Sequence, residues 1–124
     1  MVRTVLRTEK TNKKYQALKE KGHLDDGCPL CKETLILKKF KYWKILESRF
    51  PWDLISKTNH LIIPKRHTNY KGLNTLEKEE LDKIKEKYIN ENYELMAEVP
   101  DRKKSIPKHF HIHLIVLKNK ITLK

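Results

Sequence analysis

The chain has 124 residues, 38% hydrophobic and 35% charged, a balance that excludes a disordered segment and suits one domain with a single sheet-sized core. A formal net charge of +12 points to anionic partners such as nucleotides, polyphosphates or nucleic acid. The longest apolar run, Leu114-Ile115-Val116-Leu117, falls far short of the ~20 residues of a membrane helix. Residues 1–7 carry no signal-peptide core, so neither a membrane span nor secretion is expected and the default compartment is the cytoplasm.

Residues 1–27 are basic and weakly periodic, with a short helix expected around 15–21 that Gly22 would end, and they read as a segment leading into a domain at 28–124. Leu35-Ile36-Leu37 and Phe40 to Ile45 predict two short strands, and Arg49-Phe50-Pro51 a turn. Further strands are expected at 52–56 and 60–64, the second closed by Pro64. Asn74-Thr75-Leu76-Glu77 has the form of a capping box, and Leu81, Ile84 and Tyr88 follow at spacings of three and four. Together they predict a helix from Asn74 to about residue 90 with one buried stripe. Residues 93–99 can form a strand, 100–108 a polar connection, and 109–117 a last strand, which makes an α+β chain with a mostly antiparallel sheet.

That last segment, His109-Phe110-His111-Ile112-His113-Leu114-Ile115, sets three imidazoles at i, i+2 and i+4, and on an extended chain such positions share one face. An apolar strand has little use for three histidines, whereas imidazole is base, nucleophile, donor or metal ligand near neutrality. Both cysteines lie in Cys28-Pro29-Leu30-Cys31, a spacing used for redox exchange or for half of a zinc site. The preceding Asp25-Asp26-Gly27 and the internal Pro29 favour a zinc knuckle. A structural zinc takes four ligands, so two histidines must complete the set, from His23, His60, His67, His109, His111 and His113.

The seven residues from His109 resemble the histidine triad (HIT) signature, His-φ-His-φ-His-φ-φ with φ apolar, at every position. Leu61-Ile62-Ile63-Pro64-Lys65-Arg66-His67 is similar to the strand and turn that precede the long helix in that family, and the Cys pair to the knuckle of its zinc-bearing branch. The resemblance spans about residues 28–117 and implies a HIT-like fold. It also implies nucleotidyl hydrolysis or transfer at the α-phosphate of a nucleoside phosphate derivative, through a covalent nucleotidyl-histidine. His111 would be the nucleophile and His113 the phosphate contact that assists the leaving group, while Cys28, Cys31, His67 and His109 would hold a structural zinc. A homodimer is implied as well.

The connection before the triad departs from the family pattern: Ser105 stands four residues ahead of His109, and residues 100–108 contain no Asn or Gln. Ser105 and Lys108 are therefore the expected phosphate contacts. The charge leaves an alternative, a nucleic-acid-binding or adenylylated-end repair module on the same scaffold.

Overall fold

The computed structural model describes residues 6–20, 28–100 and 108–119. The elements in chain order are α1 (Glu9–Glu20), α2 (Pro29–Lys32), β1 (Ile36–Lys39), β2 (Trp43–Glu47) and β3 (Ser56–Pro64). A single 3₁₀ turn (Tyr70–Gly72) leads into α3 (Thr75–Ile84), a π-helical stretch (Lys85–Ile89) and α4 (Asn90–Asn92), which form one continuous helix. β4 (Leu95–Ala97) and β5 (Ile112–Leu117) follow. All strand pairs are antiparallel, in the order β1-β2-β3-β5-β4, so the chain is α+β with a HIT-like arrangement of one five-stranded sheet and one long helix.

Alternation along the strands divides the sheet into two faces. Trp43, Ile45, Ile62, Ile112 and Leu114 point to the face covered by the long helix and meet Leu81, Ile84 and Ile89 there, with Phe110 closing the end. Leu46, Ile63 and Leu61 point the other way and pack with Leu30, Cys28 and Ile36 at the knuckle. His113 pairs with Leu61 across β3 and so belongs to this second face.

The helix begins where its capping box predicts: the Asn74 side chain accepts from the Glu77 amide at 2.8 Å, and the Glu77 carboxylate takes the Asn74 amide at 2.9 Å. Glu77 is buried and paired with Arg66 at 2.7 Å, which ties the end of β3 to the start of the helix. Along its length the buried stripe steps from Ile84 to Ile89 instead of Tyr88, because the π-helical turn inserts one extra residue between successive inward positions.

Several boundaries differ from the sequence expectation. The strand expected from Phe40 onward is cut by a tight turn at Lys41-Tyr42, where the Phe40 amide bonds Trp43 O at 2.8 Å and the Tyr42 amide is drawn to Glu80 at 2.7 Å. Residues 52–55 are a turn, not a strand: the Trp52 carbonyl accepts from the Ile55 and Ser56 amides and from Ser56 Oγ. The last strand starts at Ile112 rather than His109, since the Phe110 amide goes to Thr68 O at 2.7 Å and not into the β3 ladder.

α1 starts well before residue 15 because Thr8 caps it, accepting from the Thr11 amide at 3.4 Å. Its entry is clamped by Asp53, whose carboxylate receives the Thr8 amide at 2.7 Å and the hydroxyls of Thr8 and Thr11. Partial burial pushes the Asp53 carboxyl up, but these bonds outweigh it and hold the group below its ordinary value. Buried Tyr15 meets the Phe50 ring edge-on at 5.3 Å, and the Leu54 amide bonds Leu6 O at 2.9 Å. Residues 6–20 therefore rest on the turn between β2 and β3.

Asn74→Ala removes the acceptor of the capping box. It is expected to lower stability by about 1 kcal/mol in urea denaturation with an unchanged slope.

Candidate active site and metal centre

Cys28 precedes a single helical turn that Pro29 opens with its fixed φ, so Cys31 returns to the same side. His67 comes from the turn after β3 and His109 from the lead-in to β5. The Nδ1 of His109 lies 3.4 Å from each of the two sulfurs, and the Nδ1 of His67 lies 3.2 Å from Cys31 Sγ. All four donor atoms fall within 4.8 Å of one another, a closed set that could hold a metal ion.

Orientation follows from hydrogen bonding. The Nε2 of His109 sits 3.0 Å from the Pro64 carbonyl, which can only accept, so Nε2 carries the proton and Nδ1 turns a lone pair toward the sulfurs. Burial lowers the basicity of this fully enclosed ring, against the pull of the Pro64 carbonyl. Burial and the neighbouring Cys28 thiol push the Cys31 thiol up. A cation in the cluster reverses that balance, since it favours thiolate over thiol.

Beyond His109 the two remaining triad rings stand 5.9 Å apart and nearly perpendicular. His111 Nδ1 lies 2.9 Å from the His109 carbonyl and must donate to it, which places the lone pair on Nε2. His113 has the opposite arrangement. Asn59 Oδ1 accepts from the Trp52 amide at 2.8 Å, so Asn59 Nδ2 is the atom 3.1 Å from His113 Nδ1. That nitrogen can only donate; His113 Nδ1 therefore accepts and the proton sits on Nε2.

The Trp52 ring stacks on His113 with centroids 3.7 Å apart. Burial pushes the His113 imidazole down to about 3, and the neighbouring His111 and the Arg7 guanidinium add to the effect. Both rings are buried, and their hydrogen bonds make Nδ1 the donor on His111 and the acceptor on His113.

Of the residues expected from the sequence, Cys28, Cys31, His67 and His109 come together as one cluster, and His111 and His113 stand next to it. Lys108 is exposed in the turn before His109, while Ser105 and His23 lie outside the described residues. His60 belongs to the helix-covered face, with its Nδ1 2.7 Å from the Tyr93 hydroxyl and its Nε2 3.6 Å from Glu47. The sequence reading missed Asn59, Trp52 and Arg7. Asn59 was detectable as an amide at an inward position of β3, where a buried polar group needs a reason.

The sequence matches no protein-family model and no curated protein. Solved structures do resemble it. A hypothetical protein from Leishmania major superposes with a TM-score of 0.58 at 18% identity, over 76% of this chain and 74% of that one. A histidine triad protein from Clostridium difficile gives 0.53 at 16% identity over 80% and 96%, and a HIT family hydrolase from Clostridium thermocellum 0.52 at 18% over 80% and 98%. The chain has the fold of the histidine triad proteins. None of its described helices is long and apolar enough to cross a membrane.

The neutral His113 makes stability depend on pH. The unfolded imidazole takes a proton below about 6.5 and the folded one only near 3, so the unfolded state binds more protons in that interval and stability falls on acidification. The expected contribution is up to about 1.4 kcal/mol per pH unit. Comparing denaturation between pH 7 and 4 should give a shallower loss for His113→Gln than for the unaltered chain; equal slopes would place the buried proton balance elsewhere.

Proposed function

We propose that this protein is a nucleotidyl hydrolase or transferase, with His111 as nucleophile on the α-phosphorus of a nucleoside phosphate derivative. The observation that carries the reading is the pair of opposed tautomers: an Nε2 lone pair on His111 beside an Nε2–H on His113, both fixed by buried hydrogen bonds. The fold shared with histidine triad proteins supports it.

In the first step the His111 Nε2 lone pair forms a bond to phosphorus and the bond to the leaving group breaks, the departing oxygen or nitrogen taking a proton from water. His113 donates its Nε2 hydrogen bond to a phosphate oxygen and disperses the charge that builds there. In the second step water, or another acceptor hydroxyl, attacks the same phosphorus; its proton is released and the imidazole is restored. The carbonyl of His109 holds the proton of Nδ1 and so directs the lone pair of the neutral ring to the attacking Nε2.

The metal in this reading is a structural zinc. Two thiolates and two imidazoles are a common zinc set, and ligands on a tetrahedron with bonds of about 2.3 and 2.0 Å lie about 3.5 Å apart. The sulfur–nitrogen separations of 3.2 and 3.4 Å fit that shape. With four protein ligands no position is left for substrate, so a bound zinc would crosslink the knuckle to the triad segment.

Dinucleoside polyphosphates and nucleoside phosphoramidates should be cleaved by the unaltered chain. His111→Ala should lose at least about a thousand-fold in turnover while keeping its metal. One zinc per chain is expected by elemental analysis, lost in Cys28→Ser. Equal turnover of the two chains would reject His111 as nucleophile.

A second reading, binding of nucleic acid, draws on the strand register. Exposed Lys39 lies opposite Lys44, and the Lys65 amide bonds Tyr42 O at 2.8 Å beside exposed Lys41, which gathers four lysines at one end of the sheet. Oligonucleotide binding measured by anisotropy should then weaken steeply with salt; no binding at low salt removes this reading.

A further inference from the structure

We propose that Arg7, on the segment that leads into α1, is a phosphate-binding residue of the site formed by His111 and His113; the proposal rests on the nucleotidyl-transfer reading above. The guanidinium is partly buried and held in place. Its Nε donates to the Phe50 carbonyl at 2.7 Å, and its central carbon lies 4.6 Å from the centre of the Tyr15 ring. Those contacts fix the plane of the group and leave its two terminal nitrogens without a hydrogen bond among the described residues.

No carboxylate among the described residues lies within ion-pair distance of Arg7. Asp53 is near enough to be felt, but its oxygens are committed to Thr8 and Thr11. A partly buried cation with unspent donors and no ion-pair partner can take an anion at those donors in place of water.

Its position points to which anion. Phe50 holds Arg7 and Asp53 holds the residues after it, and between them in the same turn lies Trp52, whose ring covers His113. The charge of Arg7 reaches the His113 imidazole and opposes its protonation, which sets the two groups in one electrostatic neighbourhood. Arg7 would act beside the expected contacts Ser105 and Lys108, adding a donor from a different part of the chain. A fixed guanidinium suits that role, because its paired N–H groups match two phosphate oxygens at once.

The test uses the full chain and its Arg7→Gln and Arg7→Lys variants. Calorimetry with the four nucleoside 5′-monophosphates selects the tightest binder, which is then compared with its parent nucleoside. Exchange of the Leu54 amide hydrogen, bonded to Leu6, reports whether the segment stays docked. Arg7→Gln should weaken the monophosphate about tenfold or more and leave the nucleoside unchanged, with Arg7→Lys in between and the Leu54 amide still protected. Unchanged monophosphate affinity in Arg7→Gln overturns the proposal. So does an equal loss for monophosphate and nucleoside accompanied by loss of Leu54 protection, which would make Arg7 a docking residue. An unaltered chain that binds none of the four monophosphates removes the nucleotidyl reading and the Arg7 contact together, whereas normal binding and turnover with an indifferent Arg7 remove only the latter.

Discussion

One hydrogen bond, from His109 Nε2 to the carbonyl of Pro64, sets the orientation of everything around it. Proline has no amide hydrogen to donate across the sheet and the facing Phe110 amide is spent on Thr68 O, so the ladder between β3 and β5 ends at Ile62 and Ile112 and the Pro64 carbonyl is open to another donor. The His109 ring supplies it. With its proton committed there, the other nitrogen of the ring faces the sulfurs, and the backbone carbonyl of the same residue receives the proton of His111. A single break in a strand thus turns a metal ligand toward its cluster and the next imidazole, His111, into the tautomer with its lone pair on Nε2.

The second imidazole is fixed from a different quarter. Asn59 is held by the amide of Trp52 and the carbonyl of His60, so it presents a donor, and only a donor, to His113. Buried polar groups of this kind are safe only when each partner is satisfied, since an orphaned amide or imidazole costs about 1–3 kcal/mol. No buried side-chain nitrogen or oxygen among the described residues lacks a partner. The sheet makes this possible by keeping its two tasks apart: the face toward the long helix is filled by Trp43, Ile45, Ile62 and Leu114, and the opposite face carries the polar network. Because the side-chain period of a strand is two, the triad spacing sends Phe110, Ile112 and Leu114 to one face and His111 and His113 to the other.

What the sequence made legible is what periodicity and local chemistry control. The capping box at Asn74 and Glu77, the triad and the Cys pair each depend on neighbours within a few residues, and each is found in place. The features that escaped depend on contacts distant in sequence. Trp52 to Ser56 reads as a strand by composition, but Asp53 is spent on Thr8 and Thr11 and the Trp52 carbonyl on Ser56, so the segment turns. The early start of α1 needed Thr8 to be seen as a cap, and nothing around it is apolar enough to announce a docked helix. The shift of the buried position from Tyr88 to Ile89 follows from a π-helical turn, which leaves no mark in hydrophobic spacing. His111 and His113 were expected in different roles on one strand; the opposite tautomers that separate them depend on the positions of the His109 carbonyl and Asn59.

The charge of the chain gains a local meaning at this site. Imidazoles that are buried among cations resist protonation, and here burial acts first, with Arg7 near His113 and Lys44 near His109 acting in the same direction. Such surroundings disfavour the charged form of both rings, which suits His109 as a metal ligand and His113 as a neutral hydrogen-bond donor. The same surroundings are unfavourable to a further cation and favourable to an anion, because a phosphate would bring the negative charge that the nearby guanidinium lacks. A guanidinium near neutral imidazoles is poorly suited to binding a cationic amine. It is well suited to gathering phosphate oxygens around an attacking nitrogen, and that combination, more than the excess of lysines over the whole surface, ties the basic composition to the proposed chemistry.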